Sequence, residues 1–66
     1  MPEVHVYLAE GRSVEQKKKL MKALSDAVVS TVGVDASVVT VQIMEAPKTD
    51  KMKGGVTFAE RDAAKK

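Results

Sequence analysis

The sequence predicts an α+β chain: a single β-α-β unit with parallel strands and a short C-terminal hairpin, assembled as an oligomer. Three observations predict it. Residues 3–9 and 38–45 are strand-like, with side chains that alternate between two faces and a β-branched second run. Between them lies a stretch with apolar residues at helical spacing, opened by a capping signal and closed by a glycine. The chain has 66 residues and no cysteine. A domain of that length buries only about 60% of the surface its unfolded chain exposes. Disulfides and thiolate metal sites are excluded, and one histidine builds no His-rich metal site. A further copy is the remaining means of stabilisation.

In the first strand, Val4, Val6 and Leu8 point one way and His5, Tyr7 and Ala9 the other. Glu10-Gly11-Arg12 is the exit turn, with Gly11 as the flexible backbone position. Ser13-Val14-Glu15-Gln16 is a capping box: the Ser13 hydroxyl accepts from the Gln16 amide, and Gln16 reaches back. A helix follows to about Val32. Leu20, Leu24, Ala27, Val28 and Thr31 form its apolar stripe, widened by Met21 and Val32, and Lys18, Lys22, Ser25 and Asp26 its wet side. Gly33 is the expected stop.

After the connector Val34 to Ser37, the second strand runs from Val38 to Glu45. Val39, Val41 and Ile43 share one face; Val38, Thr40, Gln42 and Met44 share the other. Pro47 ends it. Lys48 to Lys53 reads as a polar loop, Gly54-Gly55 as a turn and Val56-Thr57-Phe58 as a brief strand. A charged tail that frays completes the chain. The long crossover makes the two main strands parallel and right-handed in connection. One helix covers one face of them. The other face carries Tyr7, Val38 and Met44, too apolar to stay wet on so small a chain, and a partner subunit is expected there.

Residues 1–66 read as one domain without repeat or linker. Glu3 and His5 interrupt the early apolar residues, so no signal peptide is expected, and no run reaches the roughly 18–20 apolar residues of a membrane helix. The expectation is a cytoplasmic protein with no membrane partner. Net charge is +2 and the pI is about 9.0. Much of the excess lies in Lys17-Lys18-Lys19 and the terminal Lys65-Lys66, read as solvated surface. No aromatic platform accompanies it, so no nucleic-acid partner is expected.

One residue carries chemistry of its own. Pro2 follows Met1, and aminopeptidases remove methionine before a small residue. Removal leaves a secondary amine, held by its ring, at the tip of a strand. Retention of Met1 makes the same nitrogen a tertiary amide with no usable lone pair.

Met1-Pro2, the Glu10-Gly11-Arg12-Ser13 turn, Glu15-Gln16-Lys17, the helix length, the Val-rich second strand with Glu45, and Gly54-Gly55 occur in one order and spacing. Taken together they resemble the 4-oxalocrotonate tautomerase family over nearly the whole chain. The resemblance implies a small subunit in a hexamer built as a trimer of dimers, with no metal or organic cofactor. It implies that Pro2 is a general base moving a proton between an oxygen and a carbon of a dienol, and that Arg12 binds the carboxylate of a small organic-acid substrate. The chain departs from the pattern twice. Thr40 stands where well-studied members have a second arginine. The loop Thr49 to Lys53 lacks their aromatic residue. By residue type, Lys51, Lys53 or Arg61 could supply a cation, and Met52 or Phe58 an apolar wall. The departures keep other readings open: a related proline-dependent hydratase, dehalogenase or decarboxylase with Pro2 as an acid, or a non-catalytic subunit of a mixed hexamer.

Overall fold

A computed structural model describes residues 2–64. Strand β1 (Glu3–Ala9) leads through a turn into helix α1 (Val14–Val32), and strand β2 (Thr40–Ala46) returns beside β1. The pairing is parallel, from Glu3 opposite Thr40 to Ala9 opposite Ala46. A second, two-residue ribbon follows, β3 (Met52–Lys53) antiparallel to β4 (Val56–Thr57). Gly54 and Gly55 form its turn with φ of 62° and 80°. Positive φ at both central residues is what a tight hairpin with right-handed strand twist requires. Helix α2 (Phe58–Ala64) ends the described chain.

Local chemistry sets the element ends. The Gln16 amide donates to Ser13 Oγ at 3.1 Å and the Ser13 amide to Gln16 Oε1 at 2.9 Å, closing the expected capping box. Gly33 adopts φ 80° and donates to the Val29 carbonyl at 3.1 Å, stopping α1 as expected.

Four expectations change. Strand β2 begins at Thr40, not Val38, because Asp35 takes the Ser37 amide at 3.0 Å and folds Ala36–Val38 into a 3₁₀ turn. The open sheet face therefore lacks Val38. Lys48–Asp50 is likewise a 3₁₀ turn, and Met52–Lys53 is strand, where a loop was expected. Phe58 opens a helix instead of closing a strand, and the tail through Ala64 is helical. A second capping box holds it: the Glu60 amide donates to Thr57 Oγ1 at 3.1 Å and the Thr57 amide to Glu60 Oε1 at 3.0 Å. The Thr-x-x-Glu spacing was visible in the sequence. Lys65 and Lys66 lie outside the described residues.

The stripe on α1 is also rotated. Lys17, Leu20, Met21, Leu24, Ser25, Val28 and Val29 are its half-buried positions, while Ala27, Thr31 and Val32 are exposed. Lys17 joins the covered side through a distant partner. Lys17 Nζ bonds Glu45 Oε1 of β2 at 2.8 Å, with both side chains about a quarter exposed, and turns its face of the helix onto the sheet.

That contact also fixes which sheet face is covered. Val4, Val6 and Leu8 lie with Val41, Ile43 and Glu45 beneath α1. The opposite face carries Glu3, His5 and Tyr7 beside Thr40, Gln42 and Met44. Tyr7 is 68% exposed there. Among the described residues only Ala9 is buried. The radius of gyration is 15.1 Å, against roughly 11 Å for a closed domain of this length. One chain alone does not enclose a core.

Candidate active site

Pro2 is half-buried at the head of β1. Its carbonyl accepts from the Thr40 amide at 3.0 Å, which ties it to the start of β2. The next side chains on the open face at that end are Glu3 and Thr40, then His5 and Gln42. His5 Nε2 lies against Glu3 Oε1, with both side chains near half exposed. Met1, on whose removal the amine of Pro2 depends, lies outside the described residues.

Arg12 stands at the other end. The Glu10 amide donates to the Ala46 carbonyl at 2.9 Å, so the exit turn is pinned to the far end of β2. Gly11 follows with φ 126°, a conformation that favours glycine, and a Cβ there would stand 3.7 Å from Lys48 Cε. Arg12 is exposed and makes no hydrogen bond or ion pair with the described residues. The seven residues of β1 alone span about 20 Å at roughly 3.3 Å each. Pro2 and Arg12 of one chain are thus too far apart to share a small molecule.

The remaining candidates form one cluster. Lys51 Nζ sits 5.9 Å from the centre of the Phe58 ring, within the range of a cation–π contact. The Phe58 amide donates to the Lys51 carbonyl at 2.8 Å. Arg61 Nη2 donates to the Lys53 carbonyl at 2.9 Å, joining α2 to β3. Met52 is 60% exposed on the same ribbon. Lys48 pairs with Asp62 of α2 and lies beside Gly11, so this unit docks at the Arg12 end. Sequence reasoning did not single out Lys48. Lys51, Met52, Lys53, Phe58 and Arg61 are brought together, and within one chain they are brought to Arg12 and not to Pro2.

Charge follows the same division. All eleven cationic residues fall in 12–22 and 48–66; none occurs in 1–11 or 23–47. The Pro2 end of the sheet offers a carboxylate, an imidazole, a hydroxyl and an amide, but no Lys or Arg of its own strands. The shifted acids serve the fold. Asp35 is held below its ordinary 3.8 by the Ser37 hydroxyl and amide, and Glu60 below 4.5 by the Thr57 amide and hydroxyl.

A parallel βαβ subunit with an open sheet face, a proline at the strand head and an unpaired arginine at the far end is an incomplete unit. Within one chain it does not bring the proline and the arginine together. The model of the family described as "Tautomerase enzyme" matches residues 2–61, and the chain belongs to that family. It is 54% identical over 66 residues to a probable tautomerase of Bradyrhizobium diazoefficiens, covering all of this chain and 98% of that one. It is 38% identical over 60 residues to a 2-hydroxymuconate tautomerase of Comamonas testosteroni, covering 91% and 95%. Its fold superposes with a TM-score of 0.86 on a chain of the heterohexamer 4-oxalocrotonate tautomerase from Chloroflexus aurantiacus, at 38% identity and 91% and 97% coverage. No helix among the described residues is long and apolar enough to cross a membrane.

Proposed function

We propose that this chain is a cytoplasmic, cofactor-independent tautomerase of a small unsaturated 2-hydroxy or 2-oxo acid, with Pro2 as general base once Met1 is removed. The observation that carries the proposal is Pro2 at the head of β1 in a chain of the tautomerase family. The neutral Pro2 nitrogen takes the enol O–H proton. The C–O bond becomes a carbonyl as the C=C electrons move outward, and the Pro2 ammonium returns the proton to carbon. Substrate and product are isomers, and no other reactant enters.

Because β1 separates Pro2 from Arg12 of the same chain, this reading assigns the carboxylate to Arg12 of a different chain. A guanidinium fork grips a carboxylate bidentately and fixes its orientation. It also disfavours the nearby ammonium form of Pro2. An ordinary α-amino group titrates near 7.7–8.0, and such a neighbour brings the base towards working pH. The open face bearing Tyr7 and Met44 is where a second copy packs. The assembly is a homohexamer, a trimer of dimers.

The test compares ketonisation of 2-hydroxymuconate and phenylenolpyruvate by the wild type and by Pro2→Ala. Alanine also permits removal of Met1, and intact mass verifies that removal in both. A lost general base lowers kcat by about 10²–10⁴. Equal rates with Met1 absent from both end the proposal.

Thr40 favours a second reading. With a hydroxyl where the resemblance leads one to expect arginine, a protonated Pro2 could serve as an acid in hydration, dehalogenation or decarboxylation. The pH–rate profile separates the two. A base gains activity as pH rises through the Pro2 pKa, and an acid loses it. Proline-dependent turnover by the purified homo-oligomer also excludes a non-catalytic member of a mixed hexamer.

A further inference from the structure

We infer that Lys48, clamped by Asp62, is a positioning residue for Arg12, an assignment that rests on the tautomerase reading, in which Arg12 holds the substrate carboxylate. Arg12 sits in a gap between two fixed points. On one side the Glu10 amide donates to the Ala46 carbonyl at 2.9 Å. On the other the Ser13 amide donates to Gln16 Oε1 at 2.9 Å, which anchors Ser13 to the first turn of α1. Gly11 and Arg12, between them, make no hydrogen bond with the described residues. Gly11 has φ 126°, and glycine has more backbone freedom than any other residue. Unsupported, this two-residue segment would carry the guanidinium through many positions.

Lys48 borders that gap. The Asp50 amide donates to the Pro47 carbonyl at 2.8 Å, and from the turn so closed Lys48 sends its side chain back over Gly11. Its Cε and Nζ stand 3.7 and 3.8 Å from the place a Gly11 Cβ would take. A lysine stem is flexible and holds no position alone. Here its ammonium pairs with Asp62 of α2, both side chains being partly exposed. Helix α2 is itself fixed, capped by Thr57 and Glu60. Arg61 ties it to the Lys53 carbonyl at 2.9 Å, and the Phe58 amide ties it to the Lys51 carbonyl at 2.8 Å. The ion pair thus carries the set geometry of α2 across to the Gly11 backbone. As a whole the pair is neutral, so what it lends Arg12 is a wall and not a second cation. Every one of these contacts lies within one chain, and none depends on how copies are arranged.

The experiment measures kcat and KM for phenylenolpyruvate with the wild type, Lys48→Met, Asp62→Asn and Arg12→Ala, sedimentation verifying that each assembles. A group that grips substrate and transition state alike shows in KM with kcat unchanged. Lys48→Met and Asp62→Asn should each raise KM by about 2- to 5-fold, the scale on which an exposed ion pair acts, and by less than Arg12→Ala does. Lys48→Arg can still pair with Asp62 and should keep KM near the wild-type value. In the Arg12→Ala background Lys48→Met should cost nothing further, because no guanidinium is left to place. Asp62→Asn keeps the size of the side chain and decides the matter if Lys48→Met fails to assemble. A KM unmoved in the assembled variants, a fall in kcat alone, or an equal cost of Lys48→Met with and without Arg12 overturns the inference and leaves the tautomerase reading standing. So does a lower KM in Asp62→Asn, which would make Lys48 a direct contact of the substrate, and so does loss of assembly in both variants. No turnover by the wild type removes the tautomerase reading, and a KM unmoved in Arg12→Ala removes the role of Arg12; the inference falls with either.

Discussion

Replacing Tyr7 by lysine should break the assembly before it disturbs the subunit. Tyr7 lies on the open sheet face, opposite Met44, and is 68% exposed in the single chain. A tyrosine has about 150–250 Å² to bury, so a covering copy removes roughly 130 Å² of it from water, or about 3 kcal/mol at 25 cal/mol per Å². Across a twofold interface the residue is lost twice, about 6 kcal/mol, and each 1.4 kcal/mol is a factor of ten in dissociation constant. The contact should therefore weaken by on the order of 10⁴-fold, before any cost of burying two ammonium groups is added. Sedimentation velocity from high to low micromolar concentration reads this directly. The wild type should remain one assembled species, and Tyr7→Lys should fall to smaller species with lost turnover. Circular dichroism under assembled conditions shows whether α1 survives. If Tyr7→Lys sediments as the wild type does throughout, the open face is not an interface between copies.

Two further outcomes are expected. Ser13→Ala removes the acceptor for the Gln16 amide and should cost about 1 kcal/mol, read as a lower denaturation midpoint at fixed protein concentration. Asp35 and Glu60 titrate below their ordinary values of 3.8 and 4.5. Their contributions are therefore fully present above those values and lost as pH falls through the lower, folded ones. Asp35→Asn should lower stability at neutral pH and flatten the acid limb of the stability curve below about pH 4; an unchanged limb refutes the role of the Asp35 turn.

The elements readable from sequence were those with local causes. Residues 3–9 alternate, and β1 has those bounds. Ser13 and Gln16 stand three apart, and Gly33 needs only its own φ. The failures each involved a competitor. Val38 and Val39 are good strand formers, but Asp35 captured the Ser37 amide and kept both out of β2. Thr57 reads as a strand residue until Glu60 is counted as its capping partner. Lys17 reads as solvated until Glu45, far along the chain, is placed beside it. Pro2 and Arg12 were readable as residue types with chemistry. Their separation was not, because it depends on the direction of β1 and the place where the turn is pinned. The grouping of Lys51 to Lys53 with Phe58 and Arg61 depended on a helix that the sequence reading took for a fraying tail.

The length of β1 bears on how such a protein can change over generations. If the base sits on one chain and the group that grips the substrate on another, no single chain is a complete catalyst, although one gene encodes both halves. After duplication, one descendant can lose its proline and another its arginine, and together they still build working sites at some of their contacts. Selection would then act on pairs of chains and on which pairs meet. A strand seven residues long makes such division of labour available, and a relative assembled from unlike subunits is in keeping with it.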